Sequence, residues 1–350
     1  MPGMSTDTRA FRIVEIEPGD PAALDASYEI RRAARAHDVP DFPPLCRRLH
    51  DGAIRAGWPG VAQSTWLLRD GDRPLGVGTV RLRQVDNLDN ADCEIDVHPD
   101  HRRRGAGRAL YRHIAGYVRA AGRRRLLAET CGTLPGGPAR DGCGAGFARA
   151  MGFADALHEV RRTLDLSGVD TDGYQRALAE AWRHADGYSL VQWRDGTPTE
   201  HLAGVAYLGG RLLSDAPSGD VEWESEEIDA DRQRARDEAR AARGMRTYSS
   251  ALRHDRTGRL VAWSMLVLLS SPPDHAWQDI TLVDPPHRGH RLGTIAKIAN
   301  LRYAMAGEPA LRFAHTWNAA VNEHMISINQ AMGFRPVDAW IEWQQEIPRD

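Results

Sequence analysis

Lysine is almost missing from this chain. Of 45 basic residues, Lys297 alone is lysine and all the others are arginine. So broad a skew reads as a compositional bias, and only arginines in a defined local setting are expected to do more than coat the surface. An excess of one charge is missing too. The 45 basic residues face 48 acidic ones, leaving −3 at neutral pH and a pI near 6.5. That balance gives no sign of the basic face by which a protein binds nucleic acid or an anionic membrane, and neither partner is expected. Long apolar runs are absent as well: the longest, LVAWSMLVLL over residues 260–269, is too short to span a bilayer and reads as a buried strand. The first twenty residues hold no apolar segment of the signal-peptide kind. Cysteine is scarce: Cys46, Cys93, Cys131 and Cys143 all lie in the first half, with no C-x-x-C pair. This argues against a disulfide framework or structural zinc, and a cytoplasmic location with reduced thiols is expected.

What the chain does have is a repeat. The tetrapeptide AMGF occurs at residues 150–153 and again at 331–334. Upstream of each copy the same order of signals appears. Val97-x-Pro99-x-His101-Arg102 matches Val283-x-Pro285-x-His287-Arg288, at a spacing of 186 that drifts to 181 by the AMGF. In both, an alternating segment reads as a strand, a Pro/Gly/Arg turn follows, and apolar residues then recur at helical spacing. Leu110, Ile114 and Val118 do so in the first half; Ile295, Ile298 and Leu301 do so in the second. A second strand, LLAET or LRFAHTW, leads on to the AMGF. Earlier in each half, two helical segments (residues 22–37 and 44–56, then 200–213 and 229–243) precede a hairpin turning at RDGDRP or RHDRTGR. With 350 residues, two domains are the natural reading, here 1–165 and 173–350, joined at DLSGVDTD. Each half is expected to be an α/β unit, a mixed and mostly antiparallel sheet flanked by helices.

The turn before each helix is where chemistry is legible. Arg102, Arg103, Arg104, Gly105, Ala106 and Gly107 place two glycines ahead of a helix N-terminus. Glycine allows a tight bend that aims successive N–H groups at an anion, and the helix adds its unpaired donors and dipole. A diphosphate is the expected guest, although the pattern is neither a Walker loop nor the dinucleotide fingerprint. The two His-x-x-His pairs, His98/His101 and His287/His290, sit in these turns without a third ligand at metal spacing, so no metal is expected.

These residues resemble the acetyl-CoA-binding motif of the GNAT N-acetyltransferase superfamily, Gln/Arg-x-x-Gly-x-Gly/Ala. Arg102, Gly105 and Gly107 meet it in full. In the second half Arg288 and Gly293 meet it within Arg288, Gly289, His290, Arg291, Leu292 and Gly293, but Arg291 stands where the middle glycine is expected. The resemblance implies acetyl-CoA as cosubstrate and a tandem enzyme acylating a small-molecule or peptide amine, as a monomer or homodimer. It implies that the strand before each turn splays from its neighbour and pairs with the pantetheine arm, which points to Ile95 and Val97, and to Leu282 and Val283. It implies an Asn and, seven residues on, a Tyr in the helix before the final Gly-Phe. The second half carries Asn322 and Asn329 there, with Asn318 nearby; the first carries Asp141 and Ala148. Those amides favour the C-terminal half as the active one. The missing tyrosines keep a non-catalytic acyl-CoA sensor as the alternative, and the intact first loop keeps the N-terminal half in play. Glu94, flanked by Asp92 and Asp96 on one strand face, and Asp279 are the candidate bases, and a solvated strand face competes with that role. His315 reads as a structural histidine. The acidic run with Glu224, Glu226 and Glu227 lies between the first two helices of its half, a segment that borders the acceptor in this superfamily, and could form a negative wall for a cationic amine.

Overall fold

The computed structural model describes residues 11–348. The N-terminal half runs β1 (Arg12–Glu15), α1 (Pro21–Asp38), α2 (Arg47–Arg55), β2 (Val61–Asp70), β3 (Arg73–Arg83), β4 (Asn90–Val97), α3 (Ala106–Ala120), β5 (Arg125–Gly132), α4 (Cys143–Ala150) and β6 (Ala154–Asp165). The C-terminal half begins with α5 (Thr171–Trp182). It continues with β7 (Tyr188–Arg194), α6 (Leu202–Gly210), α7 (Leu212–Asp215), α8 (Ala230–Ala242), β8 (Arg246–His254), β9 (Leu260–Leu268), β10 (His275–Val283), α9 (Leu292–Gly307), β11 (Phe313–Ala319), α10 (Glu323–Ala331) and β12 (Arg335–Glu346). The repeat is thus one of structure as well as of sequence.

All twelve strands join one sheet, ordered β1-β2-β3-β4-β5-β12-β6-β11-β10-β9-β8-β7. The order is symmetric about its centre, and the centre is an exchange. The last strand of the C-terminal half, β12, pairs with β5 of the N-terminal half, while β6 pairs with β11. The two exchanged strands then pair with each other, from Arg335 opposite Thr163 to Gln344 opposite Ala154.

A buried ionic knot fixes this seam. Arg161 donates to both carboxylate oxygens of Asp338, at 2.8 and 2.6 Å, and Arg140 and the Trp340 indole donate to the same group. Asp338 and Arg161 are buried, and the two guanidiniums hold the carboxyl below its ordinary range against the opposing effect of burial. A charge in that setting is tolerable only because it is paired and hydrogen-bonded.

Each half also sends its α1–α2 or α7–α8 connection across the seam. Phe42 packs against Trp317 and Trp340, with ring centroids 6.1 and 6.0 Å away. From the other side, Val221 packs with Leu127 and Ala156. Asn87 and Asn90 donate to the backbone oxygens of Glu224 and Glu222.

Candidate active site

Within each half, one pair of parallel strands parts midway. β4 pairs with β5 only over Asn90–Asp92 against 125–127, while its other edge stays paired with β3 as far as Val97. Past residue 92 the strands diverge, and the gap opens into a cleft of about 1310 Å³. Ile95, Val97, Arg103, Gly105 and Gly107 line one end of it. Arg104 and Ala106 belong to the same turn, but Ala106 is buried in the core beneath it.

The turn is built as an anion cradle. Gly105 takes the left-handed conformation at φ 91°, and Arg103 does so at φ 63°. The N–H groups of residues 103–108 meet no acceptor among the described residues, whereas Ala109 already bonds back to Gly105. A Cβ on Gly107 would sit 3.4 Å from the Phe147 ring and 3.7 Å from Val97, so the glycine keeps the approach open. Free donors, a helix N-terminus and a wide mouth fit a diphosphate. Arg102 was expected to bind the cofactor, but its guanidinium is occupied. It grips both oxygens of Asp38 at 2.6 and 2.7 Å and donates to the Val97 carbonyl. Arg102 therefore ties α1 to the end of β4 and holds the cradle in shape.

The far end of the cleft has an ionisable floor. Asp92, Glu94 and Asp96 line it from β4, Glu129 from β5 and Glu342 from β12. They differ sharply in environment. Glu94 is flanked by Arg31 and Arg81, and these cations hold its carboxyl down to about 2. A carboxylate held that low is a weaker proton acceptor than its neighbours on the floor. Burial, with the neighbouring Glu94 charge, pushes Asp96 up to about 6. Burial also raises Asp92, which Arg83 faces at 3.5 Å.

Glu129 and Glu342 stand directly opposite each other in the β5–β12 register. Enclosure by protein, reinforced by Glu159 and by Glu342, pushes Glu129 up to about 8, although it opens onto the cleft. The same causes, burial first and Glu159 next, push Glu342 up to about 7. Groups poised near neutrality in a cleft are suited to proton transfer. Neither residue stood out in the sequence. The available signal was a single acid in the mostly apolar segment LLAETC, on the face shared by Leu127 and Cys131.

The C-terminal half repeats the cradle but not the floor. Arg291 adopts φ 54°, ψ 20°, the left-handed conformation of Gly105, and Gly289 takes the left-handed place of Arg103. Arginine at the middle glycine position therefore preserves the bend. Arg288 again serves the loop, donating to the Val283 carbonyl and pairing with Asp215. Gly293 faces Val283 as Gly107 faces Val97.

Beyond the loop the likeness ends. Leu282 stands where Asp96 does, and with Ile280 it is buried in an apolar cluster against Val205 and Leu208 of α6. Lys297 stands where Tyr111 lines the first cleft. It is fully buried, donates to Asn329, and is pushed down to about 7 by burial, with Arg162 nearby. Asn329 in turn donates to Asn318, and Asn322 caps α10 at the Met325 N–H. Each of the three amides expected at a cofactor thus makes at least one contact within the protein. Asp279 lies at a bulge in β10, half-exposed and 3.6 Å from Arg240, away from any floor. His290 and Leu292 sit at the rim and in the core of the turn, Leu292 buried. His315 is buried, bonded to Thr163 and His275, and held down to about 3 by burial, as a structural histidine. Within the acidic run, Glu226 is bound by Arg83 and Arg236, and Trp223 lines the cleft of the N-terminal half.

A tandem GNAT protein from the clavulanic acid biosynthesis pathway, solved without acetyl-CoA, superposes with a TM-score of 0.81 and 32% identity, over 97% of this chain and all of that one. The chain belongs to the GNAT acetyltransferase family. The acetyltransferase (GNAT) family pattern itself matches residues 29–134. A mycothiol acetyltransferase from Geodermatophilus obscurus is 27% identical over 183 residues, so the chain spans about half the length of that relative, 52%, with 52% of its own. A GCN5-related N-acetyltransferase from Sphaerobacter thermophilus shares the fold at 13% identity and TM-score 0.62, over 97% of both chains. No helix of the described residues is long and apolar enough to cross a membrane.

Proposed function

We propose that this protein moves an acetyl group from acetyl-CoA to a primary amine, and that the N-terminal half carries the reaction. The sequence alone tilted toward the C-terminal half because of its amides. What supports the N-terminal half is one observation: a continuous cleft joins the first cradle to carboxyls poised near neutrality.

Acetyl-CoA would supply the activated thioester. The N–H groups of residues 103–108 would hold its diphosphate, and the free edge of β4 at Ile95 and Val97 its pantetheine arm. Glu129, opposite Glu342, takes a proton from the incoming ammonium. The neutral amine then forms the C–N bond as the C–S bond breaks with its electron pair leaving on sulfur. The proton held by Glu129 passes to the thiolate, and the second proton of the acylated nitrogen is released to solvent, leaving the neutral amide and the free thiol. A second reading, an acyl-CoA sensor, rests on the second-motif positions, where Ala148 and Asn329 stand in place of tyrosine.

Calorimetry with acetyl-CoA and thiol release with a panel of amines test both readings on the full chain. Gly107→Leu is expected to lower turnover at least about 100-fold, a loss of roughly 2.7 kcal/mol of transition-state stabilisation. Gly293→Leu should leave it within a few fold, with circular dichroism confirming that both variants fold. The opposite ranking would move the reaction to the C-terminal half. Heat of binding without thiol release from any amine would establish the sensor.

A further inference from the structure

Four of the residues lining the cleft of the N-terminal half come from the C-terminal half: Trp223, Trp317, Trp340 and Glu342. They form one wall. Trp340 and Glu342 alternate on the same face of β12, and Trp317 meets Trp340 edge-to-face at 5.8 Å. Trp223 arrives on the loop that crosses the seam, with the Arg83 guanidinium 4.6 Å from its ring centre. All three indoles remain partly open to the cleft.

The basic side chains nearby are already engaged. Arg31 pairs with Glu94 and Asp96, Arg81 with Glu94, and Arg83 with Asp92 and Glu226, while Arg35 lies over the Phe42 ring. Among the described residues, Glu129 and Glu342 receive no ion pair or hydrogen bond. Like charges directly opposite across two strands oppose the pairing. Here they do so beside an aromatic wall and at a cavity large enough for a ligand. Aromatic faces beside unpaired carboxyls are the surroundings that an organic cation prefers.

Building on the acyl-transfer reading, we propose that the acceptor is a lipophilic primary ammonium without a carboxylate beside it. Its charge rests on the Glu129–Glu342 pair and its apolar body on Trp223, Trp317 and Trp340. The C-terminal half is then the acceptor wall for the cradle of the N-terminal half.

Binding can be measured without turnover, by calorimetry and tryptophan fluorescence on the full chain in the absence of acetyl-CoA. Phenethylamine is the probe. Phenethyl alcohol removes its charge, ethylamine its apolar body, and phenylalanine adds a carboxylate. Phenethylamine should bind at least about tenfold more tightly than each of the others, and Glu342→Gln and Trp340→Ala should each erase that margin; tenfold is the scale of one lost charged contact. Glu342→Gln is near-isosteric, and its melting curve separates lost binding from lost folding. Equal binding of phenylalanine or phenethyl alcohol, or an unchanged margin in Glu342→Gln, overturns the assignment. Phenethylamine bound in the expected order without thiol release from acetyl-CoA would instead sink the acyl-transfer reading and leave the cation site standing.

Discussion

The two halves share a scaffold and differ in what lies beneath it. Both turns hold left-handed residues at the same pair of positions, both leave their N–H groups without an acceptor among the described residues, and in both the first arginine of the motif braces the preceding strand. Below the first turn lies an open floor of carboxyls. Below the second, Ile280 and Leu282 close against α6, and Lys297 with two amides occupies the space. The difference teaches that an anion cradle is a backbone property, which survives side-chain change. A reaction floor is a side-chain property, and a few substitutions on one strand face turn it into core.

The comparison breaks most sharply at Glu129. Glu129→Gln should lower kcat by about 100-fold or more, the low end of what a positioned base contributes. Because the wild-type carboxyl is raised to about 8, kcat/KM should climb with pH through roughly 7–8 and flatten above it, and the variant should lose that limb. Stability runs the other way. A carboxyl raised on folding stabilises most at low pH, and that contribution is lost as pH rises through about 8, so the variant should lose less stability than wild type on raising the pH from 5 to 9.

Lys297 sharpens the contrast from the other half. Its amine is held down to about 7, while an unfolded lysine titrates near 10.4. Between those values the unfolded chain binds the extra proton. Stability should therefore rise with pH from about 7 to 10, by at most about 1.4 kcal/mol per pH unit from this group. Denaturant titrations across that range should show the slope, and Lys297→Met should remove it while leaving acetyl transfer nearly unchanged.

The smallest effect concerns the loops. Arg291→Gly relieves a left-handed arginine and should change stability by no more than about 1 kcal/mol, while Gly105→Ala should cost about that much. Melting curves of the two variants compare the cradles directly, and opposite signs are expected.

Much of this was legible in the sequence. The helices at 22–37 and 229–243 match α1 and α8 to within a residue or two, because capping acids and helical spacing are local signals. The second-half helix read over 200–213 breaks into a short 3-10 turn, α6 and α7. The cradles were legible because a turn encodes its backbone in a few adjacent residues. The floor was not. Glu129 and Glu342 lie more than 200 positions apart and meet only because β12 lies beside β5. Nothing in either strand announces its neighbour. For the same reason the acidic run gave no sign that Glu226 pairs with Arg83 from the other half.

The exchanged strands also set an order of events at the ribosome. Trp340 and Glu342 are synthesised long after the cradle, which is finished by residue 108, yet they complete its cleft. While synthesis proceeds, β5 waits with one edge unfilled, and β6 waits for both β11 and β12. Pairings between residues so distant in the chain form slowly, and open strand edges invite the wrong neighbour. The nascent N-terminal half therefore leaves the tunnel as an unfinished sheet, and its central pairing waits until β12 has emerged.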